Sequence, residues 1–360
     1  MRVAIIGAGI AGLACALELE KLGITPDIYE QRYKAGDLAP FSAAMLDINL
    51  APVDNQLKHL EKHYKLKLQP LNKIKKVVIH SPNNKILISG RLGVFVKMGQ
   101  DSDSVQQQWI SKLQTRVKFK QHVDYFKIRN KYDRIVLADG SLNIPIQLNI
   151  YEPTFKGWVR GAYLTGNFEP HKAEFWLDRE FAREGFGCLT PFNNKSASLV
   201  LQVSGITRQE LHDYWNTFIN KIGFKTVSTG YFETEFQTGR LKKHVVDNTV
   251  IVGQAGGFVE AIWSQGIYSS AVSGIEAARC IVQKEDYEKR IKHLVKTNER
   301  IYNLRQRLNG LDNNGLDLLL KMFKIPGVKQ LAAAGSCSGI KLISRLITGI
   351  SGKEDRENVF

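Results

Sequence analysis

The sequence predicts an α/β (α+β) fold in which a mostly antiparallel sheet interrupts a parallel one and a helical C-terminal part follows. Three observations support this prediction. A short aliphatic run at the N-terminus leads into a glycine-rich turn and a helix-forming stretch, the order typical of a parallel βαβ unit. Residues 145–247 contain several strand-like runs separated by turns. Residues 283–350 have apolar side chains at helical spacing.

Length and composition are those of a folded globular protein. The chain has 360 residues, of which 43% are hydrophobic and 24% are charged, and this excludes disordered, collagen-like and coiled-coil proteins. The four cysteines are far apart and show no metal-binding spacing, so we expect no metal site and a reducing, cytoplasmic setting. They are Cys15, Cys188, Cys280 and Cys337.

The excess of positive charge, formally +15, is concentrated in two segments. Residues 58–131 contain 17 basic and four acidic residues, and residues 281–350 contain 13 basic and six acidic residues. Neither segment shows the interleaved aromatic residues on which nucleic-acid bases stack, so we predict no nucleic-acid partner. An acidic carrier protein or peripheral contact with an anionic membrane fits the localised charge better.

The first motif follows an apolar run at residues 3–6 that is suited to a strand buried on both faces. In the turn GAGIAG, Gly7 permits the sharp turn, Gly9 lets the backbone approach a pyrophosphate, and Gly12 allows close packing of helix on strand. Glu30 stands 18 residues later at the end of the second predicted strand, where a carboxylate accepts hydrogen bonds from ribose hydroxyls. The pattern therefore predicts a Rossmann-like domain that binds a dinucleotide, either NAD or FAD.

Three segments resemble the motifs of one flavoprotein superfamily. The N-terminal pattern matches every fixed position of the fingerprint GxGxxGxxxAxxLxxxGxxxxxxE of FAD-binding flavoproteins. Residues 133–140 resemble the DxxVxADG element of the p-hydroxybenzoate hydroxylase superfamily, in which the Asp-Gly turn lies near the FAD pyrophosphate. The segment that begins at Gly253 resembles GDAxGfxxPxxGxGixxA of the same proteins, with Gln254 in place of the aspartate and Ala261 in place of the proline.

Within this superfamily the chain is most similar to geranylgeranyl reductase-like FAD-dependent oxidoreductases. The resemblance implies FAD as the cofactor and an external electron donor, either NAD(P)H, ferredoxin or another carrier, since no second dinucleotide fingerprint is present. The helix that begins at Gly266 is expected to direct its N-terminal amides at the flavin. The implied cofactor-binding residues are Gly7, Gly9, Ile10, Ala11, Gly12, Glu30, Gln31, Arg32, Val123, Ala138, Asp139, Gly140, Gly253, Gln254, Gly266 and Ile267.

We expect the chain to be divided into three parts. The predicted FAD-binding domain is discontinuous, the predicted substrate-binding sheet is inserted into it, and the predicted C-terminal region is helical. The FAD-binding domain comprises residues 1–55, 95–144 and 245–282; the substrate-binding sheet comprises residues 56–94 and 145–244; and the helical region comprises residues 283–360.

The inserted sheet is expected to cover the flavin and to contribute the substrate pocket. Phe186, Cys188 and Pro191 occupy the place of the reductases' YxWxFP and the halogenases' WxWxIP motifs, and the cysteine at the tryptophan position weakens a halogenase interpretation. Lys97 lies where related proteins have an arginine near the flavin chain. No catalytic triad or carboxylate pair is evident, so no catalytic residue is predicted.

The resemblance implies hydride transfer from flavin N5 to a C=C bond of a hydrophobic, isoprenoid- or quinone-like substrate. Two alternatives remain open. The same motifs occur in flavin-dependent monooxygenases, and a divergent, non-catalytic flavin-fold protein would use its basic segment to bind a membrane or a redox partner.

Overall fold

The computed structural model describes residues 1–36, 40–48, 52–223, 227–325 and 346–347. Within these ranges the chain forms two sheets and ten α-helices. The strands are β1 (Val3–Ile6), β2 (Asp27–Tyr29), β3 (Phe41–Leu46), β4 (Asn72–His80), β5 (Lys85–Met98), β6 (Val117–Lys118), β7 (Arg134–Leu137), β8 (Tyr151–Thr165), β9 (Lys172–Trp176), β10 (Phe186–Pro191), β11 (Ser196–Ser204), β12 (Val227–Leu241), β13 (Val245–Val246) and β14 (Thr249–Ile251). The helices are α1 (Ile10–Lys21), α2 (Gln56–Tyr64), α3 (Val105–Ile110), α4 (Tyr125–Ile128), α5 (Asn143–Gln147), α6 (Arg179–Ala182), α7 (Leu211–Ile222), α8 (Ile267–Gln283), α9 (Tyr287–Asn309) and α10 (Asn313–Met322).

The smaller sheet has the strand order β13-β14-β7-β1-β2-β6 and is parallel except where β13 pairs with β14. All four residues of β1 are buried, since α1 and α8 cover one face of the sheet and the other face has its own apolar cluster. Helix α8 lies so close to α1 that a Cβ at Gly274 would be 2.2 Å from the carbonyl oxygen of Ala11. The predicted Rossmann-like sheet is therefore present.

The larger sheet has the order β12-β8-β11-β10-β9-β4-β5-β3 and is antiparallel except where β4 pairs with β9. This is the mostly antiparallel sheet that the turn-rich middle of the sequence predicts. Its edge strand β3 lies within residues 1–55, which the predicted domain boundaries assign to the FAD-binding part. The pairing of β3 with β5 explains this difference, because chain position alone cannot show which sheet a short strand joins.

Alternate residues of the larger sheet point to opposite faces. The outer face packs its leucines against Trp215 and Phe218 of α7. The opposite face, called the inner face here, has a central row that runs across five strands, consisting of Phe175, Cys188, Val200, Gly161 and Phe232. One flanking row contains Phe186, Gln202 and Val159, and the other contains Thr190, Ser198 and Tyr163.

Two segments lie against the inner face. The backbone amide of Ser42 in β3 donates to the hydroxyl of Ser198 at 3.0 Å, and the hydroxyl of Ser264 donates to the side chain of Gln202 at 3.0 Å. The loop before α8 therefore contacts the inner face at Gln202. Because α8 also packs on α1, these contacts join the larger sheet to the nucleotide-binding edge of the smaller one.

The predicted helical C-terminal part is present as α9 and α10. Asp286 caps the first of these helices, and Asp312 caps the second by accepting from the amide of Gly315 at 2.7 Å. The helix expected after residue 327 lies outside the described residues, apart from 346–347. Among the helices that the structure describes, none combines the length and the apolar character needed to cross a bilayer.

Candidate functional site

The predicted cofactor segments follow four neighbouring parallel strands, β14, β7, β1 and β2. Gly7 follows β1, Glu30 follows β2, Ala138 follows β7, and Gly253 comes shortly after β14. Because the carboxyl ends of parallel strands lie at one edge of a sheet, segments that are distant in the sequence are brought together there. The sequence-predicted residues thus form one candidate site.

The glycine-rich turn after β1 forms a backbone cradle. Gly7 has a φ of +102°, and a Cβ on it would lie 2.4 Å from the carbonyl oxygen of Ala138. A Cβ on Gly12 would lie 2.0 Å from the carbonyl oxygen of Gly7. At Gly9 the nearest atom to an added Cβ is 4.0 Å away. Two glycines are therefore required by packing, whereas Gly9 leaves open space beside the N-terminus of α1, as close approach of a pyrophosphate requires.

The carboxylate of Glu30 is held beside this cradle. One of its oxygens accepts from the amide of Ala8 and the other from the amide of Arg32, each at 2.9 Å. The side chain is 9% exposed, and each oxygen has a further lone pair for a ribose hydroxyl. Gln31 and Arg32 are exposed beyond it. The loop that contains Val123 reaches this position through the amide of Gln121, which donates to the carbonyl oxygen of Glu30 at 2.9 Å.

The Asp-Gly turn after β7 lies against the same cradle. The side chain of Asp139 accepts from the amide of Ser141 at 3.1 Å, and Gly140 has a φ of +70° that favours glycine. Burial raises the pKa of the Asp139 carboxyl to about 6, the negative charge of Glu30 adds to this effect, and His122 opposes it. A protonated carboxyl at this position is compatible with a neighbouring pyrophosphate, whereas an ionised one would repel it.

We expect the affinity for FAD to rise as the pH falls from 8 towards 5, because protonation of Asp139 removes a negative charge beside the phosphates. The pKa of the Asp139 carboxyl is higher in the folded protein than in the unfolded chain. Its contribution to the free energy of unfolding is therefore complete below the unfolded pKa and is lost as the pH rises through about 6. Asp139→Asn keeps the acceptor for Ser141. The variant should bind FAD at pH 8 about as the wild type does at pH 5, and equilibrium titrations across this range measure it. An unchanged pH profile in the variant would refute this role.

The N-termini of α1 and α8 lack the side-chain caps found on other helices. Asn55, Ser104 and Asp124 cap α2, α3 and α4 with their side chains. In contrast, α1 and α8 have the N-cap residues Gly9 and Gly266, with no side-chain cap and no acidic residue in the first turn. Helices α5 and α7 also lack a side-chain cap, but their N-caps are not glycines. Amides at uncapped helix N-termini bind anionic or electron-rich groups, so both helices fit a ligand with a pyrophosphate and a polar ring.

The glycine loop before α8 lies in contact with α1. Gly253 has a φ of +64°, and a Cβ on it would lie 2.7 Å from the Cβ of Ala11. Its amide donates to the hydroxyl of Ser273 at 3.0 Å. Gln254 donates to the carbonyl oxygen of Gln237 in β12 at 3.1 Å. The residue that replaces the family's aspartate therefore links the loop to the larger sheet.

The three residues predicted for the substrate pocket have different environments. Phe186 is 5% exposed and packs against Trp263, with ring centroids 5.4 Å apart. Pro191 is buried, and its carbonyl oxygen accepts from Ser42. Cys188 lies between them in the central row of the inner face, and burial raises the pKa of its thiol to about 12. A thiol that stays protonated at neutral pH is a small apolar group here and not a nucleophile.

Lys97 has acidic partners of its own. Its ammonium lies 2.7 Å from Asp101 and 3.1 Å from Asp103. These carboxylates compensate its charge, so the structure gives no support to a role beside the flavin chain.

Sequence reasoning missed Trp263, Phe175 and Gln202. Trp263 packs against Phe175 with ring centroids 4.7 Å apart, which places it between the loop before α8 and the inner face. The alternation of side chains in β9 and β11 could have assigned Phe175 and Gln202 each to one face of the sheet, since residues two apart in a strand share a face. It does not show which face is turned towards the cofactor site.

Two protein-family models match parts of the chain. A model of pyridine nucleotide-disulphide oxidoreductases matches residues 1–159, and a tryptophan halogenase model matches residues 213–303. No curated protein sequence matches the chain.

Solved structures match almost the whole chain. A geranylgeranyl bacteriochlorophyll reductase-like protein from Thermoplasma acidophilum has a TM-score of 0.76 at 17% identity, over 98% of this chain and 96% of the other. The chain has the fold of flavin-dependent enzymes. The flavin-dependent brominase Bmp2 has a TM-score of 0.68 at 14% identity, over 98% of this chain and 99% of the other. The enzyme 2-methyl-3-hydroxypyridine-5-carboxylic acid oxygenase has a TM-score of 0.57 at 14% identity, over 95% of this chain and 96% of the other.

The predicted flavoprotein architecture is confirmed, with FAD as the cofactor that such an architecture binds. The neighbours include reductase-like, halogenating and oxygenating proteins, so the fold is compatible with more than one flavin reaction.

Proposed function

We propose that this chain is an FAD-dependent oxidoreductase that reduces a C=C bond of a hydrophobic substrate. The observation that carries the proposal is the apolar central row of the inner face, which lies opposite the loop leading into the uncapped N-terminus of α8. When bound, FAD supplies hydride from N5. We also propose the domain boundaries given above, with β3 as an added strand of the substrate sheet.

The chain's own groups would hold and enclose the reactants. Gly9 and the first turn of α1 bind the pyrophosphate, and Glu30 accepts from the adenosine ribose. The N-terminal amides of α8 stabilise negative charge on the ring. Phe175, packed on Trp263, and Phe232 close the two ends of the central row, and Cys188 and Val200 between them would offer an apolar surface to the substrate.

Two half-reactions test this proposal. Purified protein is reconstituted with FAD, reduced with dithionite under anaerobic conditions and mixed with apolar substrates that contain a C=C bond, and the return of the oxidised flavin spectrum is followed together with the mass of the product. We expect reoxidation and a product heavier by two hydrogens. A protein that does not retain FAD, or a reduced flavin that none of these substrates oxidises, would contradict the proposal.

A monooxygenase is the second candidate, since an oxygenase shares the fold over most of both chains. Mixing the reduced protein with oxygen in the presence of an aromatic substrate separates the two functions. A hydroxylated product would favour the monooxygenase, whereas rapid reoxidation without hydroxylation favours the reductase.

The proposed membrane contact rests on a basic cleft of about 600 Å³ at the C-terminal ends of α1, α2 and α3. Burial and the charges of Lys67 and Lys21 lower the pKa of Lys112, so positive charge is crowded there. Helix α1 separates the cleft from Gly9 by about 18 Å. We propose that anionic lipid headgroups bind in the cleft, whose lysines are Lys21, Lys62, Lys65, Lys67 and Lys112.

Cosedimentation with phosphatidylserine-containing vesicles should depend on this cleft. We expect binding that weakens with added salt. The triple variant Lys62→Gln, Lys67→Gln and Lys112→Gln should lose most of it. A control variant removes the same charge from exposed lysines of the larger sheet: Lys73→Gln, Lys75→Gln and Lys85→Gln. Equal binding by both variants would refute the cleft as the contact.

A further inference from the structure

Gln202 is a buried amide with one unpaired end. The side chain lies on the inner face in β11 and is 3% exposed. Its Oε1 accepts from the hydroxyl of Ser264 at 3.0 Å, whereas its Nε2 has no hydrogen-bond partner. A buried donor without an acceptor destabilises a fold. Such a group is rare in native proteins and calls for an explanation, such as a catalytic role or a bound partner.

The position of this donor relates it to the candidate site. Gln202 pairs with Phe186 on one side and with Val159 on the other, and its row adjoins the apolar central row. Its anchor, Ser264, has a φ of +57° and lies two residues before Gly266, where α8 begins. The amide is therefore fixed between the predicted substrate surface and the helix that is directed at the flavin.

We propose that Gln202 donates a hydrogen bond to a carbonyl oxygen of the substrate, and that this carbonyl is conjugated to the C=C bond that is reduced. The inference rests on the proposed function and narrows its substrate class to enones and quinone-like molecules, in place of isolated isoprenoid alkenes. An apolar surface with one fixed donor fits a hydrophobic molecule that has one strong acceptor.

The N–H of Gln202 would stabilise the negative charge that forms on the substrate carbonyl during reduction. If bound, reduced FAD would supply hydride to the carbon β to the carbonyl, and the C=C electron pair would move to the carbonyl oxygen to form an enolate. The N–H of Gln202 stabilises that developing negative charge. A proton from water then adds to the α-carbon and the carbonyl re-forms, so the substrate gains two hydrogens while FAD is oxidised. An isolated alkene has no oxygen to accept this charge.

A pair of isosteric probes tests the inference in the FAD-loaded, oxidised protein, in which no turnover occurs. The probes are benzalacetone and the diene in which a methylene group replaces its carbonyl oxygen. We expect the wild type to bind the ketone about tenfold to a hundredfold more tightly than the diene, as measured by quenching of tryptophan fluorescence. Gln202→Met should abolish this preference while leaving the affinity for FAD and for the diene unchanged.

The thermal stability of the same variant separates a ligand-binding role from a structural one. Gln202→Met removes the unpaired donor and also the acceptor for Ser264. We therefore expect at most a small fall in melting temperature, whereas an amide needed for folding would show a large one. Tyr163→Phe is the matched control, since its hydroxyl is also buried and unpaired on the inner face, two strand positions to the other side of the central row. This variant should keep the preference for the ketone.

Three results would overturn the inference: equal binding of both probes by the wild type, loss of the preference in Tyr163→Phe instead of Gln202→Met, or a Gln202→Met variant whose only defect is weaker FAD binding. Failure of the proposed function would give a result that differs from these three. In that case the reduced flavin is oxidised by neither probe, although the difference in binding between them persists.

Discussion

Gly9→Ala is expected to abolish stable FAD binding in a protein that remains folded. A Cβ at this position meets no atom closer than 4.0 Å in the ligand-free chain, but it occupies the space through which the pyrophosphate approaches the amides of α1. We expect the FAD dissociation constant to rise at least a hundredfold, about 3 kcal/mol. Fluorescence titration with FAD measures this change. The unfolding free energy should fall by only about 1 kcal/mol, because alanine is a poorer N-cap than glycine.

Two other glycines provide the controls. Gly12→Ala places a Cβ 2.0 Å from the carbonyl oxygen of Gly7 and should lower the stability of the protein even without FAD. Gly310→Ala, at the end of α9, meets only a contact of 3.5 Å and should change neither stability nor FAD binding. Normal FAD affinity in Gly9→Ala would show that the pyrophosphate does not lie on this turn.

Arg305→Met is expected to have the largest effect on folding. Arg305 in α9 is 3% exposed and donates to the carbonyl oxygens of Ala261 and Glu184. It also compensates Glu260, a buried carboxylate that accepts from three backbone amides within residues 260–265. Removing Arg305 leaves these two carbonyl groups buried without donors and Glu260 without a nearby positive charge. Each buried polar group that loses its partner destabilises a protein by about 1–3 kcal/mol.

The same helix supplies a matched control. Arg300 is exposed, so Arg300→Met should leave the denaturant midpoint unchanged. Because Arg305 holds the segment that leads into α8, any folded fraction of Arg305→Met should also bind FAD more weakly. A variant as stable as the wild type would refute the structural importance given to Arg305.

The cofactor edge was predictable because its determinants are local. Gly7, Gly9 and Gly12 stand at spacings fixed by one strand, one turn and one helix, and Glu30 ends the next strand. The Asp-Gly turn and the loop before α8 were also identified from short motifs. The parallel order of the four strands then brings these segments together.

The inner face was less predictable because it depends on contacts between distant residues. Alternation in β11 places Gln202 and Val200 on one face, but only the bond from Ser264, 62 residues away, shows that this face meets the loop before α8. Arg305 resembles any other basic residue of an amphipathic helix until its contact with Glu184, 121 residues away, is known. The same limitation explains why β3 was assigned to the other part of the chain.

The central claim is that FAD lies with its pyrophosphate on the turn at Gly9 and its ring between the first turn of α8 and the inner face. A crystal structure of the FAD complex tests this most directly. The account predicts phosphate oxygens within hydrogen-bond distance of the amides at the start of α1, a ribose hydroxyl on Glu30, and the ring facing Val200. A complex in which the ring lies outside the space between α8 and the inner face, or in which the phosphates contact another edge of the sheet, would contradict it.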